Sequence, residues 1–241
     1  FEVEARLSEL LDIPVFHDDQ HGTAIVVLAA LRNALKLVKK DLKSVKIVLS
    51  GVGAAGNAIA RLLTLNGASN IIGFNVKGVI HNGMQSDDAM QQWFIEHSNP
   101  NNFKGNISEA MVGADVFIGV SAPNVLTESD VASMATGSIV FALANPDPEI
   151  DPAIARKYAA VVATGRSDQP NQINNVLAFP GIFRGLLDAN AHKISDKMLV
   201  AAAEAIADCV SPEQLNTSFI VPSVFDPNVV KAVAAAVKKS V

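Results

Sequence analysis

The run from Ser44 to Gly56, S-V-K-I-V-L-S-G-V-G-A-A-G, constrains this chain more tightly than any other stretch. Val45, Ile47, Val48 and Leu49 form a short, β-branched, apolar segment of the kind that becomes a buried strand. Gly51, Gly53 and Gly56 follow at G-x-G-x-x-G spacing, and then Asn57–Leu65 (NAIARLLTL) places Ile59, Leu62, Leu63 and Leu65 on one helical face. Strand, glycine turn and helix in this order make a cradle for a pyrophosphate. The first glycine permits the tight turn, the second lets the phosphates approach the backbone, and the third lets the helix lie close to the strand. The helix start adds unpaired N–H groups and roughly half a positive charge. The expected cofactor contacts are therefore Gly51, Val52, Gly53, Ala54, Ala55 and Gly56.

The same pattern calls for Asp or Glu about 20 residues on, at the end of the second strand, to hold a ribose 2′-hydroxyl. The second strand reads Ile71–Val76 (IIGFNV), and its end carries Asn75 and Lys77 but no acid. Asn75 can still bond a 2′-hydroxyl and does not repel a 2′-phosphate. Lys77 is either an attraction for that phosphate or a solvated turn residue. NAD and NADP both stay open, with the missing acid tilting the expectation toward NADP.

Composition narrows the class. The 241 residues are 49% hydrophobic, 18% charged and only 5% aromatic, with Ala, Val, Ile and Leu dominant, which suits buried parallel strands under helices. A net charge of −5 without a basic block argues against nucleic acid as a partner. The single cysteine, Cys209, excludes an internal disulfide and fits a reducing cytoplasm; its simplest role is a small buried hydrophobe. No uninterrupted apolar run reaches the roughly 18 residues of a membrane span, since Ala24–Leu31 stops at Arg32. No signal peptide is visible. The chain opens on Phe1 directly into a helical pattern, so the natural polypeptide is expected to begin earlier.

Along the chain, Phe1–Leu11 has an amphipathic helical spacing that ends at Asp12 and Pro14. Ile13–Phe16 is extended and delivers His17-Asp18-Asp19-Gln20-His21-Gly22-Thr23. A long buried helix is expected at Ala24–Val38, a short helix at Asp88–His97 and another at Ser108–Met111. Further strands fall at Asp115–Val120, Ser138–Leu143 and Ala160–Thr164, and tail helices at Asp196–Cys209 and Asn228–Lys239. Strands alternating with helices predict an α/β, Rossmann-like, doubly wound, mostly parallel sheet flanked by helices. The expected organisation is residues 1–44 as part of a catalytic and metal region with a linking helix, 45–185 as the cofactor domain, and 186–241 as helices packed beside it. Ligands gather at the carboxyl ends of such strands, where Gly51, Asn75, Ser121 and Asn145 stand.

Several clusters carry chemistry. His17-Asp18-Asp19-Gln20-His21 packs four metal-ligand types into five positions, and carboxylate oxygens suit Mg²⁺ or Mn²⁺. The alternative is that Asp18, Asp19 or Thr23 caps the Ala24 helix. The histidines lack a third nitrogen or sulfur partner for zinc. Asn145-Pro146-Asp147-Pro148 is a turn after a strand, and Asn174-Asn175 sits in a polar loop where amides can hold a carboxylate or a nicotinamide without adding charge. Ser121 either lines the cofactor or caps a turn.

Taken together, Ile13–Thr23 (IPVFHDDQHGT), Gly51–Gly56 (GVGAAG), Lys77–Ile80 (KGVI), Phe141–Pro146 (FALANP), Asn174–Gly181 (NNVLAFPG) and Ile220–Asp226 (IVPSVFD) resemble the bacterial malic enzymes across essentially the whole chain. The resemblance implies oxidation of L-malate by NAD(P)⁺ and decarboxylation to pyruvate with a divalent cation, Mg²⁺ or Mn²⁺. It implies that Asp19 binds the metal and that Asp18 orients a catalytic lysine. Val52–Ala55 and Asn145 would contact the cofactor, and Asn145 and Asn175 the substrate and nicotinamide. It also implies a homo-oligomer, expected as a homodimer. The family's tyrosine acid, lysine base and acidic metal pair would lie upstream of Phe1. Tyr158 is not promoted to that role, and these residues alone are expected to be inactive. The alternatives are a regulatory nucleotide-binding module, another NAD(P)-dependent 2-hydroxy acid dehydrogenase, or a metal-dependent hydrolase built on the HDDQH stretch.

Overall fold

The strand read from Val45–Leu49 forms β1, Lys46–Ser50, at the centre of a six-stranded sheet. The computed structural model describes residues 2–241. In chain order, helix α1 (Glu2–Leu10), a π-helical turn at Asp18–Gly22 and helix α2 (Thr23–Val38) precede β1. Then come α3 (Ala54–Leu65), β2 (Asn70–Asn75), β3 (Gly78–Val79), α4 (Ala89–His97), α5 (Ile107–Met111) and β4 (Val116–Gly119). After α6 (Glu128–Ala132), β5 (Ile139–Ala142), α7 (Pro152–Ala155) and β6 (Val161–Thr164), the chain finishes in α8 (Phe179–Asp188), α9 (Asp196–Asp208) and α10 (Pro227–Lys239).

The strand order is β3-β2-β1-β4-β5-β6, and every pairing is parallel except that of β3 on β2. The short antiparallel β3, two residues at the edge, is not among the expected strands, because two residues carry no periodicity. In the parallel strands, alternate residues enter two different apolar layers, as a sheet covered on both faces requires. Ile47, Leu49, Val116, Ile118, Ile139 and Phe141 face the layer that also holds α2, α3, α8, α9 and α10. Val48, Phe117, Val140 and Val162 face the layer under α5, α6 and α7. Residues from all three sequence segments, 1–44, 45–185 and 186–241, enter the first of these layers.

Helix α2 is the buried spine on that side: Ile25 through Leu31 are fully covered. Together with the preceding turn it forms one helical stretch of 21 residues, Asp18–Val38, whose mean hydropathy of 1.3 makes it long and apolar enough to cross a membrane. The charge of Arg32 does not interrupt it. Of its most apolar 18-residue window, 67% is buried inside the protein, so packing accounts for its composition. Among the described residues it is the only helix of that length and apolarity. Helix α8 is not among the expected helices: it opens on Phe179-Pro180-Gly181, where a proline and a glycine mask the helical pattern. Proline is tolerated in a first helical turn, and Gly181 and Gly185 leave room for Val233 and Val237 of α10, where a Cβ would collide. The short helices α5 and α6 are held by capping boxes at Asn106/Glu109 and Thr127/Asp130.

Candidate functional site

Order reverses between β1 and β4, the position where open α/β sheets leave a crevice beyond the strands' carboxyl ends. A cleft of about 560 Å³ lies there. It is walled by Ala55 after β1, Val120 and Ser121 after β4, Leu143 to Asn145 after β5, and Gly165 after β6. Asp18, Asp19 and Thr23 close it from the start of the buried helix, and Asn174, Asn175 and Phe179 from the loop before α8.

The glycine turn is built as its spacing requires. Gly51 has φ +95, and a side chain there would meet the Val120 carbonyl at 2.5 Å. A Cβ on Gly56 would run into the Gly51 carbonyl, so strand and helix touch at this point. At Gly53 a Cβ would meet nothing within 4 Å, and the residue is exposed: the space above it is open. No side chain caps the start of α3, and the first N–H groups face that space uncapped. Asn57 secures the turn from below, donating to the carbonyls of Val52 (3.2 Å) and Gly53 (3.1 Å).

The acidic pair is held differently from a helix cap. The π-helical turn at Asp18–Gly22 runs directly into α2, and neither start carries a side-chain cap bond. Asn175 donates to the Asp18 carbonyl and to Oδ2, each at 3.3 Å, and accepts the Thr23 hydroxyl at 3.0 Å. Both ends of the Asn175 amide are thus occupied, the NH₂ by Asp18 and the oxygen by Thr23. The other Asp18 oxygen, Oδ1, is buried without a hydrogen-bond partner, and Gly22 makes room for it, since a Cβ there would strike it. A buried, unpaired carboxylate oxygen is costly unless a cation or donor reaches it. Asp19 is exposed into the cleft. His17 and His21 turn to Glu4 of α1 instead, with His21 Nε2 2.8 Å from Glu4 Oε1. Among the described residues no three His, Cys, Asp or Glu side chains converge as a metal site.

Asn75 and Lys77 stand apart from this cleft, at the turn from β2 to β3. Asn75 Oδ1 accepts the Lys77 backbone N–H at 2.8 Å, and the Lys77 side chain is exposed. Ser121 lines the cleft and its hydroxyl lies 2.8 Å from that of Ser50. Asn174, read together with Asn175, caps the turn before α8; two contributors carried no local signal, Phe179 and the buried Glu149 beneath the cleft. Glu149 follows Asn145-Pro146-Asp147-Pro148 closely enough that the turn motif obscured it.

A parallel sheet in this order, a glycine turn under an uncapped helix, and a cleft at the point of strand reversal define a dinucleotide-binding domain. Residues 20–241 match the family described as malic enzyme, NAD binding domain, and the chain belongs to that family. It is 56% identical over 237 residues to the NAD-dependent malic enzyme of Geobacillus stearothermophilus, covering 98% of this chain and 50% of that one. It is 46% identical to the NADP-dependent malic enzyme of Rhizobium meliloti, covering 100% of this chain and 34% of the relative. The solved NAD-dependent malic enzyme of Thermotoga maritima superposes with a TM-score of 0.93 at 44% identity, over 100% of this chain and 64% of that one. The chain therefore spans about half, or less, of the length of these two enzymes of known sequence.

Proposed function

We propose that the polypeptide carrying these residues converts L-malate to pyruvate and CO₂ with NAD(P)⁺ and Mg²⁺ or Mn²⁺, this chain holding the coenzyme and one side of the substrate and cation site. The observation that carries the proposal is a single cleft lined by Ala55 at the start of α3, just after the glycine turn, by the Asp18–Asp19 pair and by the Asn145 and Asn174–Asn175 amides. That the chain matches NAD- and NADP-named malic enzymes supports the same reading.

When bound, the coenzyme would supply the hydride acceptor for malate oxidation and the cation a Lewis acid for the decarboxylation. The chain's own residues do the holding. The uncapped N–H groups at the start of α3 receive the pyrophosphate, and Gly53 leaves it room. Asn145 and Ser121 line the nicotinamide side. Asp19, an exposed carboxylate, fits a hard cation in kind, and the buried Asp18 Oδ1 beside it still lacks a donor. Asp19 would give the cation one ligand, and Asp18 Oδ1 would accept from a lysine that orients on it. No third His, Cys, Asp or Glu joins them among the described residues. The resemblance-based homo-oligomer and a cytoplasmic location belong to the same proposal.

The test is malate- and cation-dependent formation of NAD(P)H by the complete polypeptide. Asp19→Ala is expected to lower kcat/KM by about 100-fold or more, with coenzyme binding kept. Coenzyme binding without turnover of any hydroxy acid points instead to a regulatory module. Full activity in the variant removes Asp19 from the site.

A further inference from the structure

Beneath the cleft floor, Glu149 is fully buried, with 0% of its surface exposed. Its carboxylate joins two strand tips. Oε1 accepts the Ser121 N–H at 2.9 Å and the Ser121 hydroxyl at 3.3 Å, and Oε2 accepts the Ala144 N–H at 3.1 Å. Ser121 follows β4 and Ala144 follows β5, and both line the cleft. The Ser121 hydroxyl lies 2.8 Å from the hydroxyl of Ser50, the last residue of β1. One line of hydrogen bonds thus runs from β1 through β4 to β5, under the place where a coenzyme would lie.

The backbone is shaped around this carboxylate. Gly119, the last residue of β4, has no room for a Cβ because Glu149 occupies the space. The Leu126 N–H donates to the Glu149 carbonyl at 3.0 Å, fastening the loop after β4 a second time. Burial pushes the Glu149 carboxyl above its ordinary range, and the bonds from the Ser121 and Ala144 amides and the Ser121 hydroxyl work against that rise. A charge sunk this deep is a cost to folding. Ordinary loop closure does not call for it, since neutral side chains can join two backbone N–H groups. What a carboxylate adds is acceptance by both oxygens at once, holding two tips at fixed spacing.

We propose that Glu149 is a positioning residue for the coenzyme: through Ser50, Ser121 and Ala144 it sets the spacing of the three strand tips that form the floor of the nicotinamide half of the cleft. This rests on the coenzyme reading above. A preorganised floor raises affinity because less ordering remains to be done on binding.

The experiment measures binary binding of NAD⁺, NADP⁺ and their reduced forms to the complete polypeptide, well below its thermal transition, so that loss of stability alone does not move the result. In Glu149→Gln the amide oxygen still serves Ser121, but the NH₂ opposes the Ala144 N–H. Coenzyme Kd is expected to rise about tenfold. Ser50→Ala, a milder change that keeps the fold if Glu149→Gln does not, is expected to raise Kd about threefold. The double variant is expected to be no weaker than Glu149→Gln alone, as for groups acting in one line. Kd within twofold of the parent in Ser50→Ala, or in a folded Glu149→Gln, overturns the proposal. Multiplying effects in the double variant overturn the linkage through Ser121. A parent polypeptide that binds no nicotinamide coenzyme overturns the coenzyme reading itself, and this inference with it.

Discussion

At the residue scale, Asn75 is the position where one atom exchanged for another tests a coenzyme preference. It ends β2, where dinucleotide folds place the adenosine ribose, and its Oδ1 is already engaged by the Lys77 N–H at 2.8 Å. A neutral amide there tolerates a 2′-phosphate, whereas a carboxylate would oppose it. Repulsion between near neighbours at a partly wet site is on the order of 1–4 kcal/mol. Asn75→Asp in the complete polypeptide is therefore expected to weaken NADP⁺ binding at least tenfold, while NAD⁺ binding holds or tightens. Titration of both coenzymes against parent and variant checks it, and an unchanged NADP⁺ affinity would refute the role given to Asn75.

At the scale of the element, α6 is five residues long and depends on its start. Asp130 Oδ2 accepts both the backbone N–H and the hydroxyl of Thr127, each at 2.7 Å. Burial works against the Asp130 charge, but hydrogen bonds from Ser108 and from Thr127 outweigh it and hold the carboxyl below its ordinary value. A folded value that is depressed makes the charged form a source of stability. That contribution is complete above the unfolded value, about pH 4, and is lost as pH falls through the lower folded value. Asp130→Asn is expected to cost about 1 kcal/mol at neutral pH. Its penalty should shrink as the solution is acidified below pH ~4. Urea midpoints across that range check both parts, and a penalty constant with pH excludes this account.

For the whole molecule, the joint to examine is the peptide at Ile220. Its N–H donates to Asn171 Oδ1 and its carbonyl accepts from Asn33 Nδ2, both at 3.0 Å. Asn33 belongs to α2, whose start carries the acidic pair. Asn171 lies in the loop that leads to Asn174 and Asn175, and it also bonds the carbonyls of Val162 and Thr217. The tail thereby ties together two segments that both contribute residues to the cleft. Asn171→Ala removes the partner of two buried backbone groups, the Val162 carbonyl and the Ile220 N–H, and of the part-buried Thr217 carbonyl, and it puts alanine at φ 58. The expected loss is about 3 kcal/mol, or on the order of 10 °C in Tm. Calorimetry of parent and variant measures it, and a drop below about 2 °C, well under 1 kcal/mol, would show the joint to be dispensable.

The glycine turn, the five parallel strands, the buried helix at 24–38 and the two tail helices were legible because each is written locally, in periodicity, β-branching and cap residues. The resemblance in six short blocks added Asp18, Asp19, Asn145 and Asn175, which spacing alone left undecided. What tertiary structure decided is every relation between distant segments. Asn175 reaches Asp18 across 157 positions and spends its amide NH₂ on it. The histidines beside that pair turn to α1 and not to the acids. Glu149 sits under the strand tips with no neighbouring residue to mark it. A buried hydrogen bond has no period, and its partners are chosen by the packing of elements that adjoin only once the sheet has formed.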